Sequence, residues 1–123
     1  MFVFYNANPE GKMTLDCAKR AITVVTGMNY RAVERGIVKH KRITGATIYK
    51  NKDNALSYIS TLGAQKVNLT MGERTVRDFV RTHPRGAYII DTPKHWTAIV
   101  DGVIYDTWNP EDEVIDRGAF SFR

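Results

Sequence analysis

Residues 95–108 have the sequence HWTAIVDGVIYDTW, which predicts two β-strands joined by a tight turn. Both halves, 95–100 and 103–108, are rich in β-branched and aromatic residues, which favour strands. The dipeptide Asp101–Gly102 between them is typical of a type I′ turn, whose two central residues have positive φ angles. We therefore predict an antiparallel hairpin here, and the interpretation of the rest of the chain depends on it.

The two-residue turn also fixes the register of the predicted hairpin. It pairs Thr97 with Asp106 and His95 with Trp108, and it places all four side chains on one face of the sheet. Asp106 then lies diagonally across from His95, about 7–8 Å away, so that the two side chains can meet. We predict that the Asp106 carboxylate orients the His95 ring and that Trp108 shields their hydrogen bond from water.

A histidine held by a carboxylate suits a general base, and such a base needs a nucleophile to activate. Cys17 is the candidate, because it lies in the first turn of a helix predicted over 14–26. The positive end of the helix dipole and the free backbone N–H groups there lower a thiol pKa and favour the thiolate. The same N–H groups suit a developing oxyanion, and the side-chain amide of Asn6 or Asn8 would add a donor.

The other elements are predicted from turn residues and from the spacing of apolar residues. In chain order they are helix 14–26 capped by Thr14 or Asp16, helix 30–39, a helix capped by Asp53, strand 65–69, a short helix opened by a capping box at Thr75, and strand 87–91. Helices come first and an antiparallel sheet follows. This order predicts an α+β fold in which N-terminal helices pack on a small antiparallel sheet.

The composition predicts one globular domain over 1–123, with 43% hydrophobic and 25% charged residues. A single cysteine excludes an internal disulfide and a multi-thiolate zinc site, and the three histidines are far apart, so we expect no metal and no organic cofactor. No apolar run approaches the ~18 residues of a membrane span, and the first residues lack a basic leader. We expect a cytoplasmic protein without membrane association.

The charge is +5 overall and is concentrated in residues 1–52, where ten Lys and Arg stand against three Asp and Glu. The densest basic segment, 31–52, can attract nucleic acid or another polyanion. No aromatic residues interleave with these charges to stack bases, so we favour a solvated surface and keep nucleic acid as the less favoured partner.

The order Cys17, His95, Asp106 resembles that of the papain-like cysteine peptidases. In that fold a cysteine begins a long N-terminal helix, and a downstream antiparallel sheet supplies the histidine and then an Asn or Asp. The DTW of residues 106–108 is similar to the Asn-Ser-Trp that carries the third residue in papain relatives. Papain relatives have a glutamine oxyanion donor six residues before the cysteine, whereas this chain has Gly11.

A closer resemblance is to small papain-like proteins of bacteriophages, and it spans most of the chain. The similar segments are NANP at 6–9, DCAKRAI at 16–22, HPRGAY at 83–88 and HWTAIVDG at 95–102. The resemblance implies a papain-like domain, acting in the cytoplasm of the host cell if the chain is phage-encoded. It implies a type of reaction rather than a particular substrate.

These observations predict a cysteine peptidase or isopeptidase that acts on a peptide or protein substrate. The Cys17 thiolate would attack an amide carbonyl, His95 would transfer the proton, Asp106 would orient His95, and water would hydrolyse the thioester. The alternative is a non-catalytic papain-like binding protein that acts on a host protein or nucleic acid through the basic segment 31–52. Peptidoglycan hydrolysis is a third possibility that we rank lower, because no secretion signal is predicted.

Overall fold

The structure, a computed structural model, describes residues 1–13, 16–44 and 52–122. These residues form four helices and six strands, so the predicted α+β class is confirmed. The helices are α1 (Cys17–Thr26), α2 (Tyr30–Thr44), α3 (Lys52–Thr61) and α4 (Val76–Thr82). The strands are β1 (Phe2–Phe4), β2 (Gln65–Lys66), β3 (Ala87–Thr92), β4 (His95–Val100), β5 (Val103–Asp106) and β6 (Gly118–Ser121).

The described strands form one mixed sheet in the order β1-β5-β4-β3-β6-β2. The prediction of an antiparallel sheet is wrong at one edge, because β1 runs parallel to β5. The parallel pairing places Phe4 beside Asp106, and the Tyr5 N–H donates to the Asp106 carbonyl oxygen at 2.8 Å. The first residues of the chain therefore support the end of the strand that carries the predicted catalytic carboxylate.

The hairpin predicted from residues 95–108 forms in the predicted register. Val100 pairs with Val103 across the turn, and Asp101 and Gly102 have φ angles of 48° and 78°. The pairing of β4 with β5 ends at Ala98 and Tyr105, and β5 itself ends at Asp106, two residues earlier than predicted. The register therefore brings the Asp106 side chain to the beginning of β4.

Both faces of the sheet are buried, and adjacent strand residues point into different cores. Ile89 packs in the core formed with α1, α2 and α3, whereas Ile90 packs in the core that includes Phe79 of α4. Helix α1 contacts β3, β4 and β5. This packing sets the helix that begins at Cys17 against the strand that begins at His95.

The predicted bounds of several elements are wrong. Helix α2 continues to Thr44 rather than 39, and β2 is only Gln65–Lys66 rather than 65–69. Helix α3 begins at Lys52, so Asp53 lies within the helix and not at the predicted position before it. Thr14, one of the two predicted caps of α1, lies outside the described residues. Within the described residues, no helix combines the length and the apolar character needed to cross a bilayer.

The predicted capping box of α4 forms. The Thr75 hydroxyl accepts from the Asp78 N–H at 3.2 Å, and the Asp78 carboxylate accepts from the Thr75 N–H at 3.0 Å. We expect Thr75→Ala to lower the free energy of unfolding by about 1 kcal/mol, measured by denaturant titration. Thr75→Ser keeps the hydroxyl and is the matched control. Equal stability of all three proteins would contradict a stabilising cap.

Candidate active site

Cys17 lies in the first turn of α1, as predicted, but α1 begins at Cys17 rather than at 14, and the side chain is partly exposed. Asp16 occupies the N-cap position, but its side chain makes no capping hydrogen bond. The first backbone N–H groups of a helix have no acceptor within the helix, and they favour an anion placed beside them. The start of α1 therefore provides donors next to the sulfur.

His95 is buried at the first residue of β4, with 9% of its surface exposed. Its Nε2 lies 2.7 Å from Oδ2 of Asp106, which is the contact predicted from the hairpin register. The backbone is held at this point, because the Thr92 hydroxyl donates to the His95 carbonyl oxygen at 2.7 Å. Since Nε2 faces Asp106, Nδ1 is the ring nitrogen that remains to interact with the Cys17 thiol, and this interaction shifts the pKa of both groups.

The Cys17 thiol has a pKa below its ordinary value. Burial by itself raises this pKa, because it disfavours the charged thiolate. Hydrogen bonds with the His95 side chain and the Trp96 backbone, together with the positive charges of His95 and Arg20, lower the pKa by more than burial raises it. The surroundings of the sulfur therefore favour the nucleophilic form of the residue.

The His95 imidazole is shifted in the opposite direction. Burial by itself lowers its pKa, but hydrogen bonds with Asp106 and Cys17 and the negative charges of both raise the pKa from 6.5 to about 9. The two shifts act in the same sense, because each favours the thiolate–imidazolium pair over the neutral thiol and imidazole.

Asp106 is 4% exposed and is held by hydrogen bonds on both carboxylate oxygens. Oδ2 accepts from the Thr97 hydroxyl at 2.6 Å in addition to facing His95, and Oδ1 accepts from the Thr107 N–H at 2.7 Å. The guanidinium of Arg20 lies 3.9 Å from Oδ1. The carboxylate is thus fixed in position, which suits a group that must hold the imidazole in one orientation.

Trp108 lies beyond the end of β5 and still contacts His95, as predicted. The two ring centroids are 4.8 Å apart and the rings are tilted by 43°. Trp108 is 43% exposed, so it covers part of the histidine while keeping a face toward solvent. Phe4, which pairs with Asp106 in the sheet, is 61% exposed. The site is therefore bordered by accessible aromatic surface.

Asn6 and Asn8 organise the loop that precedes α1. The Asn6 amide group donates to the Lys12 carbonyl oxygen at 3.0 Å, and its Oδ1 accepts from the Asn8 N–H at 3.0 Å. The Asn8 amide group donates to Oδ2 of Asp16 at 3.1 Å. Both amides thus have acceptors within the loop and the helix start, and their role as oxyanion donors stays a prediction.

Sequence reasoning missed the buried ion pair that underlies the site. Arg20 and Asp16 are 8% and 3% exposed, and the Arg20 Nη1 binds Oδ1 of Asp16. The Tyr30 hydroxyl donates to the other oxygen of Asp16 at 2.7 Å. The spacing of four residues between Asp16 and Arg20 could have indicated the pair. Nothing local in the sequence could have shown that Arg20 also reaches Asp106.

Comparisons of the chain with protein-family models, with curated proteins and with solved structures find no match. Among the described residues, no three His, Cys, Asp or Glu side chains come together as a potential metal site.

Proposed function

We propose that the protein is a cysteine-dependent hydrolase of amide or isopeptide bonds with a papain-like domain. The observation that carries the proposal is a chain of contacts, from Cys17 to His95 and from His95 to Asp106 at 2.7 Å. A nucleophile, a general base and a group that orients the base form the constellation expected for covalent acyl transfer. The opposite pKa shifts of Cys17 and His95 support the same reaction.

The proposed papain-like character rests on the arrangement of the elements that carry these residues. Cys17 begins a helix that packs on the sheet, and the adjacent antiparallel strands supply first His95 and then Asp106. The resemblance of the sequence to papain-like proteins implies the same order. Trp108 against the histidine supports the similarity of residues 106–108 to the Asn-Ser-Trp of papain relatives.

In the first half of the proposed reaction, the Cys17 sulfur forms a bond to the carbonyl carbon of the substrate. The carbonyl π electrons move to the oxygen, which the backbone N–H groups at the start of α1 stabilise. As the oxyanion collapses, the carbon–nitrogen bond breaks and the His95 imidazolium gives its proton to the leaving amine. The products of this half are a free amine and a thioester on Cys17.

In the second half, neutral His95 takes a proton from a water molecule, whose oxygen attacks the thioester carbon. The carbon–sulfur bond then breaks, the acid product leaves, and the thiolate–imidazolium pair is restored. Asp106 keeps the ring oriented and stabilises the imidazolium. A peptide or protein substrate would lie across the exposed aromatic surface of Trp108 and Phe4.

Alkylation of Cys17 by iodoacetamide across a pH range tests the thiolate directly and needs no substrate. We expect the rate to rise at a pH below that of an ordinary thiol, and we expect His95→Ala to move the rise to higher pH, because the neighbouring imidazolium is lost. His83→Ala is the matched control. The Nδ1 of His83 lies 3.1 Å from Oε2 of Glu73, so His83 also pairs with a carboxylate, but beside α4. If His95→Ala and the unaltered protein have the same pH profile of alkylation, the proposal is contradicted.

The pH dependence of turnover follows from the same two shifts. Below the lowered pKa of Cys17 the thiolate is protonated, so kcat/KM falls on the acidic side. Above about 9 the His95 imidazolium loses the proton that the leaving amine needs, so kcat/KM falls on the basic side. We expect a bell-shaped profile for any substrate found with a quenched-fluorescence peptide library. A profile that falls near pH 6.5 on its basic side would contradict a raised histidine pKa.

One observation favours the alternative of a binding protein. Arg35, Lys39 and Arg42 are exposed on α2, on the side away from the buried Val33 and Ile37. Such a stripe suits a nucleic acid backbone or an acidic protein surface.

A comparison of two variants of the chain separates the binding role from the hydrolase. If Cys17→Ala keeps the biological activity while charge reversal at Arg35, Lys39 and Arg42 removes it, the protein acts by binding. The reverse pattern supports the hydrolase.

A further inference from the structure

We propose that Arg20 is a positioning residue that joins the start of the nucleophile's helix to the carboxylate that orients His95. The inference rests on the proposed function and adds to it a residue that neither touches the substrate nor reacts. Its role is to hold Asp16 and Asp106 at a fixed separation, and with them Cys17 and His95.

The geometry places one guanidinium between two buried carboxylates from different elements. Nη1 of Arg20 binds Oδ1 of Asp16, four residues earlier at the start of α1. Nη2 lies 3.9 Å from Oδ1 of Asp106 at the end of β5. A guanidinium is planar and rigid, and it presents donors in several directions, so it can join two acids in a way that a lysine cannot. Arg20 therefore links the helix to the sheet at the site.

Each acid also has neutral donors of its own. Asp16 accepts from the Tyr30 hydroxyl at 2.7 Å and from the Asn8 amide at 3.1 Å. Asp106 accepts from Thr97 at 2.6 Å and from the Thr107 N–H at 2.7 Å. An arginine that served only as the ion-pair partner of Asp16 would not need to lie near Asp106 as well. The position of Arg20 between both carboxylates points to a linking role.

The charge balance gives the link a chemical consequence. In the reactive state three anions, the Cys17 thiolate and the carboxylates of Asp16 and Asp106, surround two cations, Arg20 and His95. Loss of Arg20 would leave three anions around a single cation in a buried setting, where charge interactions are strong. The thiolate is then disfavoured, in agreement with the lowering of the Cys17 pKa by the Arg20 charge.

Three variants test the proposal: Arg20→Met, Arg20→Lys and the double variant Asp16→Asn/Arg20→Met. In Arg20→Met we expect the alkylation profile of Cys17 to move to higher pH and kcat to fall by up to about 100-fold with little change in KM, because reacting groups lose their alignment. Arg20→Lys keeps the positive charge but lacks the planar guanidinium. We therefore expect it to restore the pH profile of Cys17 alkylation more fully than it restores kcat. The matched control is Arg77→Met, since Arg77 also contacts two acids, Glu111 and Asp112, but at the surface.

The double variant separates positioning from a merely structural pairing. It removes the buried acid that Arg20→Met would leave without its ion-pair partner, so we expect it to be more stable than the single variant. We expect its alkylation profile to return toward that of the unaltered protein, because loss of the Asp16 charge restores the net charge around the thiolate. We expect its kcat to stay low, because the link to Asp106 is still missing. Recovery of kcat to the unaltered value would overturn the proposal. If alkylation of the unaltered protein rises below the pH of an ordinary thiol and Arg20→Met does not move that rise, the role of Arg20 alone is refuted. If alkylation of the unaltered protein rises at the pH of an ordinary thiol, the hydrolase is refuted.

Discussion

Replacing Cys17 by alanine is expected to remove turnover, with a loss in kcat/KM on the order of 10⁴–10⁶-fold, as for nucleophiles of other triads. The reason is that no other group in the proposed site can form the thioester. Stability should change little, because the side chain is small and only partly buried at the first residue of α1. The measurement is kcat/KM on a cleaved peptide, with thermal melts of the same preparations.

Cys17→Ser is the informative comparison, because it keeps the shape of the side chain and a hydroxyl. A hydroxyl is a far weaker acid than a thiol, so His95 would have to remove its proton during the attack. We expect Cys17→Ser to be nearly as inactive as Cys17→Ala while it keeps a normal melting temperature. Substantial hydrolysis by Cys17→Ala would show that another group supplies the nucleophile, and the assignment of Cys17 would fail.

The substrate can be sought with the same residue. A panel of peptides and ubiquitin-like proteins with a C-terminal electrophile labels an active thiolate covalently, and the labelled member reports the preferred acyl side of the scissile bond. Cys17→Ala is the blank for every probe. Because Trp108 and Phe4 border the site and are 43% and 61% exposed, we expect probes with aromatic or apolar side chains to label faster than charged ones.

The contact between His95 and Asp106 was predictable from sequence because it depends on local rules. The turn at Asp101–Gly102 fixes the register, and alternation along the strands fixes the faces. The diagonal contact then follows from strand geometry alone. The position of Cys17 at the start of α1 was predictable for a similar reason, since helix starts follow from local sequence.

The features that sequence reasoning missed depend on distant parts of the chain. The parallel pairing of β1 with β5 joins Phe4 to Asp106, and no local pattern fixes a partner about a hundred residues away. Strand β6 was not predicted either, because its four residues, GAFS, combine a strand breaker with small residues. Its position between β3 and β2 is set by packing.

Asp16 illustrates how tertiary contacts override a local rule. An aspartate at an N-cap position is expected to accept hydrogen bonds from the first turn of its helix. Here the carboxylate instead accepts from Tyr30 and Asn8 and binds Arg20, and it makes no capping bond. The consequence is functional under our proposal, because the N–H groups that Asp16 does not cap lie beside the nucleophile.

Replacing Asp106 should give the second large effect on turnover. In Asp106→Ala the His95 ring loses the acceptor that fixes its orientation, and the imidazolium loses its negative partner. We expect kcat/KM to fall by roughly 10²–10³-fold, less than the ~10⁴-fold of a serine triad, because the Cys17 thiolate forms before the attack. Stability should fall as well, since the Thr97 hydroxyl loses its buried acceptor at a cost of about 1–3 kcal/mol.

Asp106→Asn distinguishes catalysis from stability. Its amide oxygen can still accept from the His95 ring, as in the papain relatives that carry Asn at this position, so we expect a smaller loss of kcat/KM than in Asp106→Ala. Glu73→Gln is the matched control, because Glu73 is a buried carboxylate that faces His83 and accepts from Thr82 at 2.5 Å. It should lower the melting temperature and leave kcat/KM unchanged. If Asp106→Asn and Asp106→Ala turn over like the unaltered protein, or lose activity only in proportion to unfolding, then Asp106 supports the fold and does not orient His95.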